Sequence, residues 1–148
     1  MLRLNGIKPL MATCFREDES IDDDAMRKQI DLAIDAGATT ICMLGFGAEF
    51  YRLSDEERYH FVDVLVEHVA KRVPAIAATS SGSTRTEKVG ADSVMVTASR
   101  TASLPAPEIV GYYSRLCDSI SIPVMLQDAD FTATSPVTTS STSPFLTP

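Results

Sequence analysis

Apolar positions along the chain follow two alternating rhythms. Short aliphatic and β-branched runs come at 7–13, 39–44, 74–79, 93–97 and 123–127, and helical spacing fills most of the ground between them. In 22–36 the residues Met26, Ile30, Ala33 and Ile34 share one helical face, and Gly37 stands where a C-terminal cap is wanted. Ser54-Asp55-Glu56-Glu57 matches the capping box, in which the Ser54 hydroxyl accepts from an early backbone N–H and Glu57 reaches back. Phe61, Leu65, Val66 and Val69 then line a core face, with Arg58 and Lys71 toward solvent. Pro107 opens a third helix that carries Ile109, Tyr113, Leu116 and Ile120. The run 39–44 is apolar without alternation, as suits a strand covered on both faces. Such strands, separated by amphipathic helices, predict a parallel α/β sheet of about five strands with helices packed outside it. Pro9 marks the first run as an edge or an irregular strand.

Two places break the rhythm. Only 13 residues, 80–92, separate the third run from the fourth, room for a turn or two of helix around 84–89. A crossover between parallel strands takes about a dozen residues or more, so one layer is thinned there. The second break is the end. Of the 18 residues 131–148, 13 are Ser, Thr or Pro, and none is charged. Too little apolar surface is present to offset the entropy of ordering, which predicts a disordered tail at 131–148 behind a domain at 1–130.

Composition narrows the function classes. The net charge of −7, with 13 basic residues scattered among 20 acidic ones, argues against a nucleic-acid partner. No apolar run is long enough to span a bilayer, and residues 1–6 lack the pattern of a signal peptide, so no membrane association is expected. Cys14, Cys42 and Cys117 lie far apart with no CxxC, which reads as reduced thiols in a cytoplasmic protein. Cys42 reads as a small buried hydrophobe, whereas Cys14 ends the first strand, where a reactive thiol is conceivable although no basic neighbour supports one. His60 and His68 stand eight apart on one helix, too far for a two-ligand clamp, and no metal site or cofactor is expected.

One block carries a family resemblance. The buried run 39–44 leads into Gly45-Phe46-Gly47-Ala48-Glu49 and then Leu53-Ser54-Asp55-Glu56-Glu57-Arg58. Ile21-Asp22 stands ahead of this block, before the first helix, and Val73-Pro74-Ala75-Ile76, Gly90-Ala91-Asp92-Ser93-Val94, Tyr112-Tyr113 and Ile122-Pro123-Val124 follow it in matching order. In that order they resemble the dihydrodipicolinate synthase / N-acetylneuraminate lyase family of Schiff-base aldolases, over roughly residues 6–130. The resemblance implies a (β/α)₈ TIM barrel active at the C-terminal strand ends. About 250 residues are typical of such a barrel, so the expectation is an incomplete one. An open flavodoxin-type domain is the competing architecture, and no phosphate-loop motif recommends it.

The resemblance also implies a chemistry. The family nucleophile is a lysine at the end of the sixth strand, whose imine with pyruvate or another 2-oxo acid serves as the electron sink. Lys8, Lys28, Lys71 and Lys88 all precede the fifth run, and each reads as an ordinary solvated lysine. No catalytic residue is assigned, and the chain is expected to stop before that lysine and to be inactive alone. Substrate binding falls to Gly45, Phe46, Gly47 and Gln127. Phe46 and Gly47 replace the two family threonines, so the backbone N–H groups of the turn are left to hold a carboxylate; a plain chain-redirecting turn is the other reading. Gln127 stands at the family tyrosine and can hydrogen-bond without relaying protons. Asp128 reads as a strand-end cap, and Ala98-Ser99-Arg100 replaces the family's tyrosine loop. The alternative function is a non-catalytic association module that binds a full-length relative, in keeping with a homo- or hetero-oligomer.

Overall fold

A computed structural model describes residues 5–78, 90–97 and 105–127. Four parallel strands form its sheet, β1 (Ile41–Met43), β2 (Ala75–Ala78), β3 (Ser93–Thr97) and β4 (Val124–Gln127). Three α-helices pack against it, α1 (Asp23–Asp35), α2 (Asp55–Val69) and α3 (Ala106–Asp118). The strands stand side by side in chain order, each paired in parallel with the one before it. A flavodoxin-type sheet instead reverses its strand order, so that alternative falls. Sequential parallel order is what a partial (β/α) barrel requires, and the α/β expectation holds.

The first predicted strand is reduced to a single bridge, Leu10 to Cys42. Cys42 N–H donates to the Pro9 carbonyl at 3.0 Å and Met11 N–H to the Cys42 carbonyl at 2.9 Å. A second parallel bridge one pair lower, between Lys8 and Thr40, would need an N–H at position 9, which proline lacks. The chain still runs alongside β1, so four strands plus this tethered segment stand where about five were expected.

Register sorts the side chains onto two faces, since parallel partners project the same way. Met43, Ala77, Val94 and Val124 form one row. Met43 and Ala77 belong to the main core with Met26 and Ile30 of α1 and Phe61 and Leu65 of α2. Val94 joins Val96 and Leu116 of α3 in a second, smaller cluster. Right-handed crossovers between parallel strands in sequential order put all three helices on one face. On the other lie Leu10, Cys42 and Ile76, and above them Ala78, Met95 and Met125.

Helix boundaries follow local chemistry. The Asp22 carboxylate accepts from Ala25 N–H at 3.0 Å, and Gly37 at φ +93° ends the first helix region. The capping box on α2 is complete, with Ser54 N–H to Glu57 at 2.7 Å and Glu57 N–H to the Ser54 hydroxyl at 3.2 Å. Arg58 departs from expectation. It is half-buried, and its Nε donates to the Phe50 carbonyl at 2.8 Å, pinning the loop before α2. The two histidines join helices: His60 Nε2 lies 2.9 Å from Asp23 Oδ1, and His68 Nε2 lies 2.9 Å from Asp31 Oδ1. The thinned crossover at 80–92 lies outside the described residues up to position 89, as does the tail expected at 131–148.

Candidate functional site

A cleft of about 250 Å³ opens on the helix-free face of the sheet. Gly45, Phe46, Gly47 and Gln127, all four predicted binding residues, line it together with Lys8, Leu10, Cys42, Met95 and Met125. Gly45 to Gly47 follow the C-terminal end of β1, and Gln127 ends β4. A second hollow of about 340 Å³ between Arg27, Glu67 and His68 lies on the outer helices, away from the strand ends.

The turn after β1 is built under constraint. Leu44 at φ +53° and Glu49 at φ +51° both occupy the left-handed region without being glycine. Such residues cost on the order of 1 kcal/mol or more each and persist only where neighbours hold them. Leu44 is buried, and the Thr13 hydroxyl donates to the Ala48 carbonyl at 2.6 Å. Gly45 is required for a different reason: a Cβ there would meet Leu10 Cδ1 at 2.6 Å. Inside the turn, Ala48 N–H donates to the Gly45 carbonyl at 2.9 Å and Glu49 N–H to the Phe46 carbonyl at 3.0 Å. Two of its amides are therefore spent internally, which thins the backbone donor set expected from sequence. Phe46 is 48% exposed, with its ring 5.4 Å from that of Tyr51.

Other candidates resolve as follows. Cys42 is buried, and burial pushes its thiol pKa up despite the opposing charge of Lys8. Burial also raises the Cys14 thiol, helped by the Asp22 charge, so Cys14 is not an activated nucleophile. Lys28 is exposed on α1, and Lys71 pairs with Asp92 at 2.6 Å. Lys8 departs from the solvated reading, because it faces the cleft. Sequence reasoning also missed Leu10, Met95 and Met125; strand alternation from Leu10 was the available signal for Lys8, two residues earlier. Among the described residues no group of three or more His, Cys, Asp or Glu stands close enough to hold a metal ion. Lys88, Asp128 and the 98–100 loop lie outside the described residues.

Comparison with known proteins gives this geometry a family. Residues 3–141 match the Dihydrodipicolinate synthetase family. The chain belongs to it. The L-2-keto-3-deoxyarabonate dehydratase of Azospirillum brasilense is 34% identical over 143 residues, covering 89% of this chain and 46% of that protein. Dihydrodipicolinate synthase DapA-2 of Bacillus anthracis superposes with a TM-score of 0.76 at 31% identity, covering 85% of this chain and 46% of that one. YagE of E. coli K12, a prophage protein of the dihydrodipicolinic acid synthase family solved with pyruvate, gives a TM-score of 0.74 at 30% identity, covering 83% and 44%. The chain thus spans about half the length of the curated relatives it matches. Membership in a lyase and aldolase family explains the sequential parallel order. No helix among the described residues is long and apolar enough to cross a membrane.

Proposed function

We propose that these residues form the acid-recognising part of a lyase or aldolase site for pyruvate or another 2-oxo acid, and that the 148 residues by themselves do not turn it over. One observation carries the reading: Gly45, Phe46, Gly47 and Gln127 converge on a single cleft at the C-terminal ends of parallel strands. Barrel enzymes place their chemistry at that end. Met95 and Met125 supply an apolar wall, and the Gln127 amide orients the ligand by hydrogen bonding. In full-length relatives, as the family resemblance implies, a lysine amine adds to the ketone carbon and water leaves. The protonated imine then takes up the electron pair of a breaking carbon–carbon bond and becomes an enamine, which returns that pair to a carbonyl carbon when the bond forms. That lysine follows the fifth predicted strand, and no lysine occurs here after Lys88. The pyruvate complex of YagE supports the ligand class.

Borohydride reduction with pyruvate, followed by intact mass, tests both halves of the reading. The chain is expected to stay unmodified while a full-length relative treated in parallel gains the reduced adduct. An adduct on the chain overturns its inactivity, and none on the relative overturns the imine.

A second reading, an association module, has its own observation. Among the described residues nothing pairs with the outer edge of β4, and Leu126 beside it is 52% exposed. Mixing with a full-length relative should then produce a heavier species in sedimentation; unchanged boundaries would exclude it.

A further inference from the structure

We propose that Lys8 is an anion-binding residue of the cleft, its ammonium holding the carboxylate of a small organic acid. The assignment deepens the 2-oxo-acid reading and rests on it for the class of ligand.

Three observations place a cation where an acid would need one. Strand alternation sends Lys8 and Leu10 to the helix-free face, where both line the cleft with Cys42, and turns Met11, which is 3% exposed, the other way. Lys8 is the charged residue among the described residues lining the cleft; Leu10, Cys42, Met95 and Met125 are apolar and Gln127 is neutral. Its ammonium donates to the Gly6 carbonyl at 3.3 Å, and no carboxylate among the described residues pairs with it. An ammonium has three donors, so a half-buried one with a single long bond retains capacity for an anion.

Neighbouring chemistry points the same way. The Lys8 charge reaches the Cys42 thiol on the same face, where it opposes the effect of burial. At the turn after β1 the threonine hydroxyls that the family resemblance implies are absent, and two amides are already committed. A carboxylate entering the cleft therefore finds Lys8 as its charged partner. In a cleft with apolar walls that interaction is screened less than at an open surface.

The test titrates the full 148-residue chain, followed by NMR chemical shifts, with two probes: pyruvate, and propionate, which has the carboxylate without the ketone. Lys8→Met should weaken both by about tenfold or more, as expected for losing a charge-assisted hydrogen bond, and Lys8→Arg should stay within about threefold of the parent. Circular dichroism on both variants checks that they fold alike. If pyruvate binds Lys8→Met as well as the parent, or if neither acid binds the parent, the anchor role is overturned. If both acids depend on Lys8 but pyruvate gains nothing from its ketone, the anchor stands and the 2-oxo-acid reading falls. A borohydride adduct that vanishes in Lys8→Met makes Lys8 a nucleophile and overturns the anchor.

Discussion

Alanine at Gly45 puts a methyl carbon 2.6 Å from Leu10 Cδ1 and 2.8 Å from Cδ2, whereas alanine at Gly47 meets Leu10 Cδ2 at 3.2 Å. Carbon pairs sit best at about 3.5–4.0 Å, so the first substitution displaces Leu10 by roughly an ångström and the second by a few tenths. Neither position requires the left-handed region; Gly45 sits at φ −76°. Leu10 is 37% exposed and has room to swing, which limits the penalty at Gly45 to about 1–3 kcal/mol, the usual range for overpacking. At Gly47 the milder contact competes with a gain of about 0.4–1 kcal/mol from restricting the unfolded chain, and the sum lies near zero. Urea unfolding at constant m-value measures the difference. Leu10→Ala removes the atoms that collide, so in that background the cost at Gly45 should shrink by about 1 kcal/mol or more. Equal costs at the two glycines, or the same cost at Gly45 with and without Leu10, would refute the steric argument.

Two other outcomes follow from the charges and thiols. The exposed Cys117 should react first with a thiol reagent, Cys14 later and the buried Cys42 last, with the Cys14 rate rising at higher pH than for a free thiol; Cys14 matching free cysteine near neutral pH would contradict its raised pKa. The Arg72 guanidinium, and after it the His68 ring, hold the Asp31 carboxyl below its ordinary 3.8. Its stabilising contribution is therefore present above that value and lost as pH falls through the lower folded one, so Asp31→Asn should flatten the stability curve below about pH 4. An unchanged acid limb in urea titrations would count against the pairing.

Where the sequence was legible, local chemistry was strong. The Ser54/Glu57 box and the Met26/Ile30 and Phe61/Leu65 faces are written in short-range spacing, and the structure follows them closely. The turn after β1 was visible through its glycines, yet the left-handed Leu44 and Glu49 were not, because neither residue type advertises that backbone. Pairings across the chain were also hidden. Nothing within reach of His60 in sequence points to Asp23, and helical spacing puts Arg58 toward solvent with no sign of the Phe50 carbonyl it reaches. The role of Lys8 depends on which face of an irregular strand it occupies, and Pro9 obscured that alternation.

The histidine–aspartate contacts behave like the rungs of a ladder. Both join residues 37 apart, and successive rungs are eight residues apart on each helix, about 12 Å of rise on either side. Equal spacing on the two rails means that adding residues to the connection between α1 and α2 shifts the numbering of one rail without disturbing either rung. One residue inserted between Asp23 and Asp31 would instead rotate everything beyond it by about 100° around the helix and break a single rung. The two rungs thus resist a change of length within either helix and do not sense one in the connection between them.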